Sequence, residues 1–124
     1  MSTPFVAPPR LWSATAFMLL ALVVYLSLAP TAVQLPGDEG GRYGHVAAYA
    51  ALMFMFTRMY ATPRGRLLVG VTLVLIGIGL ECAQGATSYR TFEYADILAN
   101  TIGVVLGWLA QRTVGVIAAR STSA

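Results

Sequence analysis

The chain has 124 residues, of which 57% are hydrophobic and only 10% charged, with a mean hydropathy of +0.70. A soluble domain carries about a quarter charged residues, so this composition excludes an ordinary soluble domain and leaves room for one small membrane-embedded unit. The net charge of +3 comes from eight arginines set against five acids; they sit at the ends of apolar runs and form no aromatic-interleaved basic patch, so nucleic acid is not an expected partner.

Residues 1–10, MSTPFVAPPR, read as a short disordered tail. A first helix is predicted over about 11–29, an uncharged run close to the roughly 20 residues that span a bilayer. It exceeds the roughly 7–15 residues of a signal-peptide core, which favours retention. Pro30 ends it, and a loop with Pro36, Gly37, Asp38, Glu39, Gly40, Gly41 and Gly44 follows, a composition that marks turns. A second helix is predicted over about 45–61, short for a span, with His45, Tyr49, Leu52 and Phe56 on one face. After Arg58 and the turn Thr62-Pro63-Arg64-Gly65-Arg66, a third helix is predicted over about 66–84, carrying the stripe Gly70, Gly77, Glu81 and Gln84. A short polar loop with Arg90 leads to a fourth helix over about 94–118, on which Asp96, Asn100, Gly103 and Gly107 share a face. Residues 119–124 read as a second tail.

These elements predict an all-α fold, an integral membrane four-helix antiparallel bundle in one domain over 11–118. Arg10, Arg58, Arg64, Arg66, Arg112 and Arg120 fall on one side of it, Arg42 and Arg90 on the other with all five acids. By the positive-inside rule both termini are expected in the cytoplasm, in a multi-pass protein of the cytoplasmic membrane. His45, Glu81, Arg90 and Asp96 then cluster at the outer membrane–water boundary. Gly103 and Gly107 form a small-xxx-small pattern that permits close backbone approach, expected to bring the polar stripe of helix four onto helix three. Cys82 is the only cysteine, which precludes an intramolecular disulfide; a packing role is expected for it.

An ionisable side chain within a membrane segment is costly and is a functional candidate by default. Glu81 could serve as general acid or base, or pair with Arg90 to fix the corner between helices three and four. Asp96 could be a second carboxylate, or an acid in the favourable first turn of helix four. His45 could reach either carboxylate, or be a plain interfacial residue. Asn100 suits an interhelical hydrogen bond. Arg90 suits a phosphate or carboxylate because its donor fork is planar and always charged; otherwise it pairs with Glu81, Glu93 or Asp96. A histidine and two carboxylates can hold a metal, but no HExxH-type spacing marks such a site, so neither metal nor cofactor is expected. A Gly-rich phosphate loop, a GxSxG elbow and an internal repeat are all absent from the sequence.

Several of these residues stand in a pattern that resembles the VanZ-like family of small bacterial membrane proteins. Glu81-x-x-Gln84, Arg90-Thr91, Asp96-x-x-x-Asn100 and the glycine at 103 match its Glu-x-x-Gln, Arg-Ser, Asp-x-x-x-Asn and following glycine. His45-x-x-x-Tyr49 is similar to its His-x-x-x-Tyr at the start of the second helix. The resemblance implies a bacterial envelope protein from a family associated with resistance to teicoplanin, a lipid-tailed glycopeptide. Taken with the chemistry above, the candidate catalytic residues are Glu81, Asp96 and His45, and the candidate ligand-binding residues are Arg90, Gln84, Asn100, Tyr49 and Arg42. The expected partner is a membrane lipid or lipid-linked small molecule; a homo-oligomer is not indicated. Two readings follow, a binding module for a lipid headgroup, lipid-linked precursor or lipidated glycopeptide, and a small intramembrane enzyme modifying an envelope lipid by carboxylate and histidine acid–base chemistry. One departure stands out: the family's usual Asp-Lys pair before the histidine is Gly41-Arg42 here, with Asp38 or Glu39 as possible substitutes for the missing acid.

Overall fold

The structure is a computed structural model that describes residues 7–30 and 41–123. It contains four helices, α1 (Arg10–Leu28), α2 (Arg42–Thr57), α3 (Pro63–Gly85) and α4 (Tyr94–Thr122). The all-helical fold expected from the apolar runs is therefore present, with helix ends displaced where local chemistry outweighs hydropathy. Gly41 sits in the left-handed region at φ 71° and turns the chain into α2, which begins three residues before His45. Thr62 caps α3, its hydroxyl accepting from the Gly65 N–H at 3.0 Å, and Pro63 follows as the first helical residue. Proline there gives up an N–H that no helix bond would use.

α1, α3 and α4 are each long and apolar enough to cross a membrane. α2 is not; its 16 residues extend about 24 Å against a hydrocarbon core of about 30 Å. Large apolar side chains such as Leu11, Met18, Tyr25, Leu67, Leu75 and Ile117 stay exposed. A water-soluble monomer does not carry apolar surface on this scale; against acyl chains it costs nothing. The chain is thus a multi-pass membrane protein.

Helices adjacent in sequence run antiparallel. The start of α1 is tied to the end of α2, the Trp12 indole donating to the Met55 carbonyl at 2.9 Å. The tightest seam is different: α2 and α4 run parallel, backbone against backbone. A Cβ built on Gly103 would lie 2.5 Å from the Val46 carbonyl oxygen, and one built on Gly107 would collide with the Ala50 carbonyl oxygen. The small-xxx-small pair therefore seats α4 on α2, not on α3 as the sequence suggested. Contact with α3 is made one turn away, where Gly77 admits Asn100 and Tyr49. Two carbonyls and two glycines explain the choice, because close approach needs a smooth ridge on one helix and missing side chains on the other.

The core fills the space around α2 with Ala16, Leu52, Met53, Phe56, Leu73 and Val104. Thr57, fully buried, returns its hydroxyl to the Met53 carbonyl at 2.7 Å. Cys82 faces outward from α3, which corrects the expected packing role. Arg10, Arg58, Arg64, Arg66, Arg112 and Arg120 gather toward one end of the bundle; Glu81, Glu93, Asp96, Arg42 and Arg90 lie at the other. We call these the arginine-rich end and the carboxylate end.

Candidate functional site

The carboxylate end is assembled from one face of each of α2, α3 and α4. Helical spacing puts His45 and Tyr49 one turn apart on α2, and Tyr49 is buried to 2% exposure. On α3 the buried face runs Gly70, Leu73, Gly77, Glu81, Gln84. On α4 it runs Asp96, Ala99, Asn100, Gly103, Gly107. The two stripes read from the sequence are thus the faces turned inward.

Where they meet, polar groups find one another across helices. The His45 Nδ1–H donates to Asn100 Oδ1 at 2.8 Å, fixing the imidazole from α4. Its Nε2 then points to Asp96 Oδ2 at 3.7 Å. Arg42 lies between two acids, 3.4 Å from Glu93 Oε2 and 4.0 Å from Asp96 Oδ1. Close charge-assisted pairs sit at about 2.7–2.9 Å, so these three contacts are all slack. Asp96 Oδ1 is buried with no hydrogen-bond partner among the described residues. The rigid part of the site is its scaffold, and the loose part is its charges.

Glu81 is 1% exposed and does not pair with Arg90. Its Oε1 accepts the backbone N–H of Glu93 at 2.7 Å, closing the corner between α3 and α4. Glu93 is the residue that sequence reading missed as a site member: its amide holds Glu81 and its side chain pairs with Arg42. The side-chain role had a signal, a lone acid between Arg90 and Asp96; the amide role had none.

Two of the expected ligand-binding residues are engaged elsewhere. Gln84 Nε2 donates to the Ser27 carbonyl at 2.7 Å, and Arg90 Nη2 to the Leu26 carbonyl at 2.9 Å. Tyr89 adds its hydroxyl to the Leu28 carbonyl at 3.0 Å. The last carbonyls of a helix have no partner within it, and in lipid they cannot turn to water. The α3–α4 corner supplies three donors to the end of α1, with the positive charge of Arg90 at the negative pole of that helix. Arg90 Nε is buried with no hydrogen-bond partner among the described residues.

The structure therefore brings together His45, Tyr49, Asn100, Asp96 and Arg42, places Glu81 beside them at the corner, and sets Gln84 and Arg90 against α1. No group of three His, Cys, Asp or Glu among the described residues is arranged to hold a metal ion, because Glu81 is turned to Glu93 while only His45 and Asp96 face each other. Asp38 and Glu39, weighed as replacements for the acid missing at Gly41, lie outside the described residues.

The family model for VanZ/LLP1 matches residues 3–115. An uncharacterized protein of Schizosaccharomyces pombe is 33% identical over 95 residues, which cover 74% of this chain and 57% of that protein. The chain thus spans little more than half the length of the curated relative it matches. No solved structure matches the chain.

Proposed function

Since the chain belongs to the VanZ/LLP1 family and has the helices of a multi-pass membrane protein, we propose that it binds the phosphate-bearing headgroup of a lipid or lipid-linked envelope precursor at its carboxylate end. The positive-inside rule puts that end on the outer side of the membrane, with both termini in the cytoplasm. The observation that carries this reading is the slackness of the charges on a tight scaffold. Arg42, half exposed, is held at 3.4 and 4.0 Å from two carboxylates. An arriving phosphate can exchange for Glu93 on the guanidinium at little cost, because Arg matches phosphate geometry with two parallel donors. His45, kept in place by Asn100 through Nδ1, turns its Nε2 to the same space.

Purification of wild type, Arg42→Gln and His45→Gln from one membrane source, followed by mass spectrometry of the retained lipids, tests the reading. Wild type should enrich one headgroup over the bulk membrane, and both variants should lose that enrichment while keeping their helicity. Identical lipid sets in all three would end it.

One observation favours a second reading, an enzyme. An oxygen about 2.8 Å from both partners fits across the 3.7 Å gap between His45 Nε2 and Asp96 Oδ2. A water or a lipid hydroxyl there would stand between an acid and a base. This reading requires a lipid that changes covalently when the protein is present and stays unchanged with Asp96→Asn; binding alone leaves every lipid intact.

A further inference from the structure

At the opposite end of the molecule, α3 and α4 line a groove of about 630 Å³. Leu67 and Val71 line one wall, Val105 and Trp108 the other, and Arg66 and Arg112 stand at its end. Gly70 deepens the groove, leaving Met53 of α2 close behind it. The Arg112 guanidinium carbon lies over the Trp108 ring, 4.9 Å from its centroid, and Arg66 Nε is anchored on the Tyr60 carbonyl at 3.1 Å. Both guanidinium groups are thus fixed at the mouth of an otherwise apolar channel. Among the described residues neither has a carboxylate within ion-pair distance; Glu81, Glu93 and Asp96 are all at the other end.

We propose that this groove holds a phospholipid with an anionic headgroup, its phosphate on Arg66 and Arg112 and one acyl chain along the cleft. Charge decides the head: two unopposed arginines between membrane helices form a basic pocket of the kind that takes anionic headgroups. Length decides the tail. From Arg66 to Leu75 the wall runs about 14 Å along α3, close to half the roughly 30 Å hydrocarbon core. The cleft is therefore one leaflet deep, with its cationic end at the headgroup level where Trp108 also suits the interface. A second copy of this chain would bring an apolar helix to the groove, but the described acids of a parallel neighbour, Glu81, Glu93 and Asp96, would sit at the opposite end. This site is independent of the one proposed above, at the other face of the bilayer.

Trp12 and Trp108 are the only tryptophans, and Trp108 faces the cleft, so fluorescence reports occupancy. The full chain is placed in phosphatidylcholine nanodiscs containing either brominated phosphatidylglycerol or brominated phosphatidylcholine at the same level. Phosphatidylglycerol should quench at a concentration about fivefold lower for each arginine that contacts it. Arg112→Gln should reduce that preference about fivefold and Arg112→Lys should largely restore it. Val71→Phe, which fills the cleft and keeps both charges, should weaken quenching by both lipids. Equal quenching by the two lipids in wild type would overturn the proposal, as would a preference untouched by Arg112→Gln in a protein of unchanged helicity. A dimer that excludes both quenchers would overturn it in favour of a second copy.

Discussion

Replacing Gly103 with alanine is the sharpest test of how the site is built. The added methyl would lie 2.5 Å from the Val46 carbonyl oxygen, 3.0 Å from Tyr49 Cβ and 3.1 Å from the Ala50 nitrogen, where ordinary contact begins at 3.4 Å. Two of the three obstacles are backbone, which cannot rotate away, so α2 and α4 must part by most of an ångström. Overpacking of this kind costs about 1–3 kcal/mol. Alanine recovers up to about 1 kcal/mol of helix propensity, leaving a net loss of up to about 2 kcal/mol once that gain is made in full. The shift also reaches the site, because His45 precedes Val46. Its 2.8 Å bond to Asn100 has little room to lengthen before it ceases to be one at about 3.6 Å. Thermal unfolding in detergent, followed by circular dichroism, measures the first effect. The natural controls are Gly79→Ala and Gly115→Ala, where a Cβ meets nothing within 4 Å and the propensity gain should stand alone. If Gly103→Ala melts with those controls, the backbone seam between α2 and α4 is not as tight as described and the positioning of His45 rests on something else.

Other substitutions probe separate links. Gly77→Ala should lower stability by about 1–2 kcal/mol, since its methyl would fall 2.9 Å from Asn100 Nδ2; the same melting experiment reads it. Glu81→Gln keeps an oxygen for the Glu93 N–H, whereas Glu81→Ala leaves that donor without its 2.7 Å partner. The alanine variant should therefore be less stable than the glutamine variant by about 1–3 kcal/mol, measured by denaturant unfolding, and equal stabilities would dissolve the corner argument. Trp12→Phe removes the indole bond to Met55 and should cost about 1 kcal/mol, with faster hydrogen exchange at the end of α2 as its local signature.

The all-helical membrane fold was legible because hydropathy dominates such a sequence: three runs long enough to cross need no tertiary information to be recognised. The inward stripes on α3 and α4 were legible too, because polar residues and glycines at helical spacing in an apolar helix have few places to go. Partner choice was not. Gly103 and Gly107 advertise a close approach without saying to which helix, and the answer depends on two carbonyls of α2 that carry no sequence mark. Gln84 and Arg90 are candidates by a donor chemistry that is general, and their observed partners could not be read from it. The need they meet, bare carbonyls at the end of α1, belongs to backbone geometry some sixty residues away in the chain.

The shortness of α2 has a consequence for the membrane itself. α4 runs 29 residues beside a partner of 16, about 43 Å against 24 Å. On the side where α2 shows to lipid, the bilayer must thin or the headgroups must dip to meet the helix ends, at a cost of fractions of a kcal/mol per ångström. The protein therefore carries its own depression in the surface, with Arg42 and His45 at the floor. A thinner bilayer relieves that mismatch, so the chain should partition toward thin, fluid regions and away from thick, ordered ones, and the composition of the lipid around it becomes partly a matter of mechanical fit.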